Sequence, residues 1–400
     1  MAKVLLMSLG SRGDMEPFLA KADELKAQGD TVALCMPAQF ESLAREVSDL
    51  WHPQDISFLE LLESPDVQNI TGQIGSPLSR LRTMLRLLRE TKGIQQQLIR
   101  DQKAAIDAFQ PDRIVFHIKC IYPTMLGATR RGKVELLTPI PCMLHPVDEE
   151  PHIGFGKPRG AWWNRMTYHL ANRVLVGQSI LTYGGPLARE WGLELDAKAL
   201  RRFLLEDLPV EVATEPSLFP RPAAWPAHVR MTGFRERDKA RHWTPDPKLV
   251  AFLEAHPRPL YVGFGSMVNG RPAEVGRAVV EATAALGMPV VVNTSWGGLE
   301  LDEVPAHVCV VKDVPYDWLF SRVRAVVHHG GSGTTHSALR FNLPQLIVPH
   351  IADQFFWARR IVASGLGPAG FPIKALTKER LQHALEELLA MDVERTAHST

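Results

Sequence analysis

Short apolar runs that end near glycine, each followed by a stretch with helical spacing, recur along the chain. Val4–Leu9 is such a run and closes at Gly10. Pro17 to Gln28 then carries Phe18, Leu19, Ala22 and Leu25 at helical spacing and stops at Gly29. Thr31–Met36 reads as a second strand and Phe40–Val47 as a second short helix. Ile106–Phe109 followed by Arg113–His117 repeats helix then strand, and Val134–Leu137 is a strand leaving into Pro139 and Pro141. After Pro216, Pro220, Pro222 and Pro226 the pattern restarts. Strands are predicted at Leu260–Phe264, Val290–Asn293, Val308–Val311, Ala325–Val327 and Leu346–Val348. Helices are predicted at Ala273–Leu286, Phe355–Ala363 and Thr377–Leu389. Alternation of this kind implies parallel sheets covered by helices. The expected class is α/β, with two Rossmann-like doubly wound domains: 1–215, a proline-rich connection at 216–235, 236–375, and a terminal helix at 376–400. Ligands in such sheets bind beyond the carboxyl ends of the strands.

Two amphipathic stretches stand apart. Pro77 to Arg100 places Leu78, Leu81, Leu85 and Leu88 among Arg80, Arg82, Arg86 and Arg89. It reads either as a solvated helix or as a basic element touching a membrane or lipid acceptor. Gly160 to Gly177 carries Trp162, Trp163, Met166, Tyr168 and Leu170 in helical register, a stripe that reads as core or as a pocket wall.

Composition narrows the field. With 400 residues, 45% hydrophobic and 22% charged, the chain can bury two ordinary cores. A net charge of +1 gives no global field that would favour nucleic acid. Cys35, Cys120, Cys142 and Cys309 are scattered without a C-x-x-C pair, so neither a zinc knuckle nor a disulfide scaffold is expected and a reducing, cytoplasmic compartment fits. The apolar start is too short for a signal-peptide core.

The candidate chemistry lies at His328-His329-Gly330-Gly331-Ser332-Gly333-Thr334-Thr335, between a strand and a helix-like segment. Strand, glycine-rich turn and helix start present backbone N–H groups to an anion. The plain alternative is a glycine turn capped by serine and threonine. Asp353-Gln354 follows, a pair able to hydrogen-bond sugar hydroxyls or to cap the next helix. The order anion cradle then Asp-Gln points to a nucleotide-sugar donor.

The stretch from His328 to Ile361 resembles the donor-binding signature of the inverting family-1 glycosyltransferases, above all the sterol glucosyltransferases and the glycopeptide-antibiotic glycosyltransferases. Gly10-Ser11-Arg12-Gly13-Asp14-Met15-Glu16-Pro17 resembles their first-loop motif, over 300 residues away at the other end of the chain. The resemblance implies the glycosyltransferase-B fold, with the two domains facing a deep cleft and the last helix crossing back to the first domain. It implies a UDP-sugar co-substrate, no cofactor and no metal. Asp14 becomes the general base, with a helix N-cap as its alternative, and Ser11 and Arg12 contact the donor. His328 meets the diphosphate beside Gly330, Ser332, Gly333 and Thr334. Gly265 and Ser266 close over it, and Asp353 and Gln354 hold the sugar. Val314 pairs with the nucleobase and Trp296 lies in a loop of the donor half. Trp162, Trp163 and Met166 line the acceptor cleft by the same resemblance. Plant members place Glu where this chain has His336, which leaves UDP against TDP open.

The resulting expectation is an enzyme that moves a hexose, glucose by default, from UDP-sugar to a hydroxyl of a hydrophobic small molecule such as a sterol or triterpenoid. Antibiotic tailoring with a TDP- or UDP-sugar, and a nucleotide-sugar binder or epimerase of the same fold, are the alternatives. Acceptor choice is assigned to the loops Trp51–Ser76 and Leu144–Pro158. A peripheral membrane contact is the further partner expected.

Overall fold

The computed structural model describes residues 1–56, 77–265, 267, 269–294 and 298–398; for 77–90, 178–179, 242 and 392–398 it describes the backbone alone. The expectations placed on Trp51–Ser76 beyond Ile56, on the side chains of the 77–90 leucines and arginines, and on Ser266 and Trp296 therefore lie outside the described residues. The chain divides into two compact units. One comprises 1–216 with 220–237, the other 217–219 with 238–400.

The first unit is built on a parallel sheet of seven strands: β1 Lys3–Met7, β2 Thr31–Pro37, β3 Trp51–Gln54, β4 Arg113–Phe116, β5 Val134–Thr138, β6 Val210–Val212 and β7 Val229–Met231. Their order is β3-β2-β1-β4-β5-β6-β7, so the direction of winding reverses between β1 and β4. β1 and β4 pair in parallel, Met7 opposite Phe116. Near-continuous apolar sequence suits strands covered on both faces. Val4, Leu6, Leu34 and Met36 pack against Phe18, Leu19 and Ala22 of the Arg12–Ala27 helix, all buried. Each such side chain taken from water contributes about 1.5–3 kcal/mol.

The second unit has five parallel strands, β8 Leu260–Gly263, β9 Val290–Asn293, β10 Val308–Val311, β11 Ala325–His328 and β12 Gln345–Ile347, in the order β10-β9-β8-β11-β12. Its two faces alternate. Leu260, Val262, Val290 and Val292 pack against the Pro272–Ala285 and Lys378–His398 helices, while Tyr261, Val291 and Val326 face the layer containing Leu249, Leu319 and Ala338. Winding here reverses between β8 and β11.

One boundary differs from the expectation. The proline-rich stretch is not a free connection. Trp225 is buried, its Nε1 donates to Pro146 O at 3.0 Å, and β7 follows at the sheet edge. Prolines can flank an edge strand without removing a ladder bond. The terminal helix was expected to return to the first domain. Through residue 391 its apolar side, Leu381, Ala384, Leu385 and Leu388, is core of the second unit, and the side chains beyond lie outside the described residues.

Candidate active site

The first candidate site lies at the winding reversal of the first sheet. Ser11 is the N-cap of the Arg12–Ala27 helix and Asp14 its third residue. Asp14 Oδ2 accepts the Ser11 backbone N–H at 2.7 Å and faces Ser11 Oγ at 3.1 Å. Asp14 is thus not the cap itself but the returning carboxylate of a capping box. Its other oxygen, Oδ1, accepts Lys119 Nζ at 3.1 Å and lies 3.5 Å from His117 Nε2. His117 and Lys119 come from the turn immediately after β4, which the parallel pairing sets beside the end of β1. Gly10 forms the floor. Its φ is +135°, and a Cβ there would stand 2.2 Å from Asp14 Oδ2 and 2.6 Å from Lys119 Nζ.

The electrostatics follow from these contacts. Burial pushes the Asp14 carboxyl up, but Lys119, His117 and the hydrogen bonds from Lys119 and Ser11 outweigh it, so the group sits below its ordinary range. Burial, helped by Lys119 and opposed by Asp14, lowers His117 to about 4, so its ring is neutral. Arg12 turns along its own helix toward Glu16, 3.4 Å away.

The second candidate site lies at the reversal between β8 and β11. The first helical bond of Ser332–Arg340 runs from Thr335 N to Gly331 O, which leaves the N–H groups of Gly333 and Thr334 at an open helix start. Gly330, at φ +90°, makes the turn, and a Cβ on it would stand 2.6 Å from Ile347 Cγ2. Thr334 is buried, and Gly333 has nothing within 4 Å of its Cβ position. That combination suits an anion.

One expectation is corrected here. His328 does not present its ring to the loop. It is the last residue of β11, fully buried, with Nε2 3.0 Å from Gln345 Oε1 and Nδ1 accepting the Gly330 N–H at 3.1 Å. Both nitrogens are used by the protein, and burial lowers the ring to about 4 despite Gln345. Its neighbour His329 is half-buried on the other side of the turn. Its ring packs on the backbone of Gly265 and Gly331, and a Cβ on Gly331 would lie 2.4 Å from its Nε2. Among the described residues His329 Nδ1 is buried without a hydrogen-bond partner, and burial, His328 and His350 hold the ring well below its ordinary pKa. Alternation along a strand carries consecutive side chains to opposite faces, which is why two adjacent histidines divide in this way.

Asp353 is the N-cap residue of the Gln354–Ala363 helix, half-buried, with its carbonyl accepting Trp357 N–H at 3.0 Å. Gln354 is buried, and its Oε1 accepts the N–H groups of His350 at 2.7 Å and Ile351 at 3.0 Å. Its carbonyl end therefore fastens the preceding loop. Val314 is half-buried against the layer that holds Tyr261 and Leu319. Trp318 meets Trp243 edge-on at 5.1 Å and lies under the Arg322 guanidinium at 4.2 Å. His336 is buried, its Nδ1 2.7 Å from Ser332 O and its ring edge-on to Trp357. Trp162 and Met166 are 74% and 45% exposed, so neither lines a closed pocket. Trp163 is half-buried beneath the Arg159 guanidinium, 5.6 Å from its ring. Among the described residues no cluster of His, Cys, Asp or Glu could hold a metal ion, and no helix is long and apolar enough to cross a membrane.

His117 and Lys119 were not singled out in the sequence. The signal available was positional: residues just after the strand that pairs with β1 fall beside the first loop.

A carboxylate at one switch point and an open helix start at another are the polar features of a two-domain sugar-nucleotide transferase. Comparison with known proteins agrees. Residues 4–109 match the Glycosyltransferase family 28 N-terminal domain, and residues 277–400 match the Erythromycin biosynthesis protein CIII-like C-terminal domain. The chain is 28% identical to sterol 3-beta-glucosyltransferase UGT80B1 of Arabidopsis thaliana over 98% of its length, but spans 63% of that relative. Among solved structures it is similar to CalG4, the calicheamicin glycosyltransferase, with a TM-score of 0.68, 18% identity and coverage of 98% of this chain and 91% of that one. It is also similar to the glycosyltransferase VinC in complex with DTDP, with a TM-score of 0.61, 19% identity and coverage of 98% and 94%. The fold is glycosyltransferase-B. The two matched domains and the likeness to sterol and antibiotic glycosyltransferases support a family-1 glycosyltransferase.

Proposed function

We propose that the protein is an inverting glycosyltransferase that moves glucose from UDP-glucose to a hydroxyl of a bulky hydrophobic acceptor, a sterol or triterpenoid. The observation that carries this reading is Asp14, fixed at a strand switch point by Ser11, His117 and Lys119. In this reading Asp14 takes the proton of the acceptor hydroxyl as the new bond to the anomeric carbon forms and the bond to the diphosphate breaks. The helix start at Gly333 and Thr334 receives the charge that develops on the departing diphosphate. His329, whose buried Nδ1 has no partner among the described residues, takes the diphosphate contact first expected of His328. Asp353 holds the sugar. The sterol-type acceptor is supported by the named activity of UGT80B1.

A second reading is use of a TDP-sugar. It is favoured by His336, whose buried ring offers no carboxylate to the ribose hydroxyls. The test is nucleoside diphosphate release from UDP-glucose and from TDP-glucose with separate sterol, triterpenoid and macrolide acceptors. Release from UDP-glucose that depends on sterol or triterpenoid supports the first reading. Release from TDP-glucose alone supports the second. Acceptor-independent behaviour with both donors would defeat transferase function.

A further inference from the structure

The Ala161–Val174 helix is amphipathic in the wrong sense for a soluble protein. Its buried side is polar. Tyr168 Oη donates to Glu150 O at 3.1 Å, Asn164 Nδ2 to Asp148 O at 2.7 Å and Asn172 Nδ2 to Leu144 O at 3.1 Å. Thr167 Oγ1 accepts the His152 N–H at 2.9 Å. These polar groups are satisfied by the loop they cover, and the Tyr168 ring packs edge-on against His152 on the same side.

Its outer side carries an apolar stripe interleaved with Arg165, His169 and Arg173. Trp162, Met166, Leu170 and Val174 recur every four residues and therefore share a face. They are 74%, 45%, 50% and 51% exposed. Scattered exposed apolar residues need no explanation, but a contiguous stripe does. Four of the ten large hydrophobics exposed among the described residues lie on this one face. The helix is 14 residues long, about 21 Å at 1.5 Å per residue.

The charge near the stripe along the sequence is mostly positive. Between Glu150 and Glu190 the sequence has no Asp or Glu, in a chain that holds 44 of them. The same span carries Lys157, Arg159, Arg165, Arg173 and Arg189. The neighbouring carboxylate Asp148 is taken up by Arg165, with Nε and Nη2 at 2.5 and 2.7 Å. Glu149 is the one exposed acid at the near end. An apolar stripe led by tryptophan, flanked by cations, is the composition that lies in the headgroup region of an anionic bilayer.

We propose that the Trp162–Met166–Leu170–Val174 face, with Lys157, Arg159 and Arg173 beside it, docks the protein on an anionic lipid bilayer. This goes beyond the transfer reading and does not depend on it. The peripheral membrane contact expected from the arginine-rich stretch is thereby assigned to a different element. A bilayer fits better than a protein partner because the cations need no matched geometry, only a negative surface.

The test is co-sedimentation of the full chain with vesicles of phosphatidylcholine mixed with phosphatidylglycerol, and with phosphatidylcholine alone. Binding is expected to the anionic vesicles and to fall as salt rises. The exposed triple substitution Trp162→Ser, Leu170→Ser, Val174→Ser should weaken binding at least about tenfold. Lys157→Ala and Arg173→Ala should each weaken it roughly fivefold. Circular dichroism of each variant checks that the fold is kept. Wild type that stays in the supernatant, or a folded triple variant that binds as well as wild type, overturns the proposal. So does a dimer in vesicle-free solution that the triple substitution disperses, because the face would then belong to a second copy of the chain.

Discussion

Lys119 Nζ stands 3.1 Å from Asp14 Oδ1, across a sequence separation of 105 residues. A base paired with an ammonium group is stabilised in its charged form and takes up a proton less readily. Lys119 is the largest of the influences that lower the Asp14 pKa, and burial alone would raise it. Replacing Lys119 with Met should therefore move the acid limb of the pH dependence of kcat/KM to higher pH, while Lys119→Arg should keep it in place. An acid limb that does not move in Lys119→Met separates Lys119 from the titrating group.

Removing the carboxylate itself is the direct test of the base. Asp14→Asn keeps the shape and a hydrogen-bond acceptor, and should lower kcat by about 10²–10⁴-fold. UDP-glucose should still bind, as read by calorimetry. Transfer at the wild-type rate would remove Asp14 from the chemistry.

The two adjacent histidines should separate by experiment. His328→Ala leaves the Gly330 N–H and the Gln345 carboxamide without their buried partner, an effect of about 1–3 kcal/mol on stability. It should therefore lower the melting temperature. His329→Ala removes the ring whose Nδ1 has no partner among the described residues and should weaken UDP-glucose binding with a smaller change in melting. Calorimetry and thermal melts on the two variants decide between them, and the reverse pattern would restore His328 as the donor contact.

Acid should destabilise the fold well before its carboxylates titrate. His117, His145 and His152 in the first unit, and His328, His336 and His350 in the second, are each lowered from 6.5 to about 4, with burial the leading cause. The unfolded chain takes up these protons near pH 6.5 and the folded chain only near pH 4. The stability they contribute is thus complete above about 6.5 and drains away as pH falls toward 4, at about 1.4 kcal/mol per pKa unit for each fully buried ring. Melting temperature followed from pH 7 to pH 4 should fall through this window; a flat profile would contradict it.

Gly10 offers a steric test. A methyl group there would stand 2.2 Å from Asp14 Oδ2, in a backbone conformation that L side chains rarely adopt. Gly10→Ala should displace the carboxylate and reduce kcat at least about tenfold, because small misplacements of a reacting group are costly. Activity equal to wild type would mean that the position of Asp14 is not critical.

The long apolar runs were legible because burial on both faces leaves a strong signal. β1, β2, β4, β8, β9, β10 and β11 all lie where Val, Leu and Ile cluster. β6 and β7, of three residues each, carry no pattern that can be told from a loop, and β7 stands behind four prolines. Asp14 was legible because its motif is local. Its partners His117 and Lys119 were not, because sheet order alone brings them together. The division of labour between His328 and His329 depends on the direction in which a strand ends, and two identical side chains in a row conceal it.

The buried carboxylate Glu211 shows where the halves of this protein could be separated. It is 2% exposed on β6 and is held by Lys21, 3.2 Å away, and by Arg235, which lies beyond the prolines. A fragment ending at residue 215 would delete both β7 and Arg235. It would expose β6 as a bare edge and leave an acid facing one cation where it now has two, a costly arrangement in the interior. Expression of the first half alone should succeed only when the cut is made after Arg237, and the apparent linker has to travel with it.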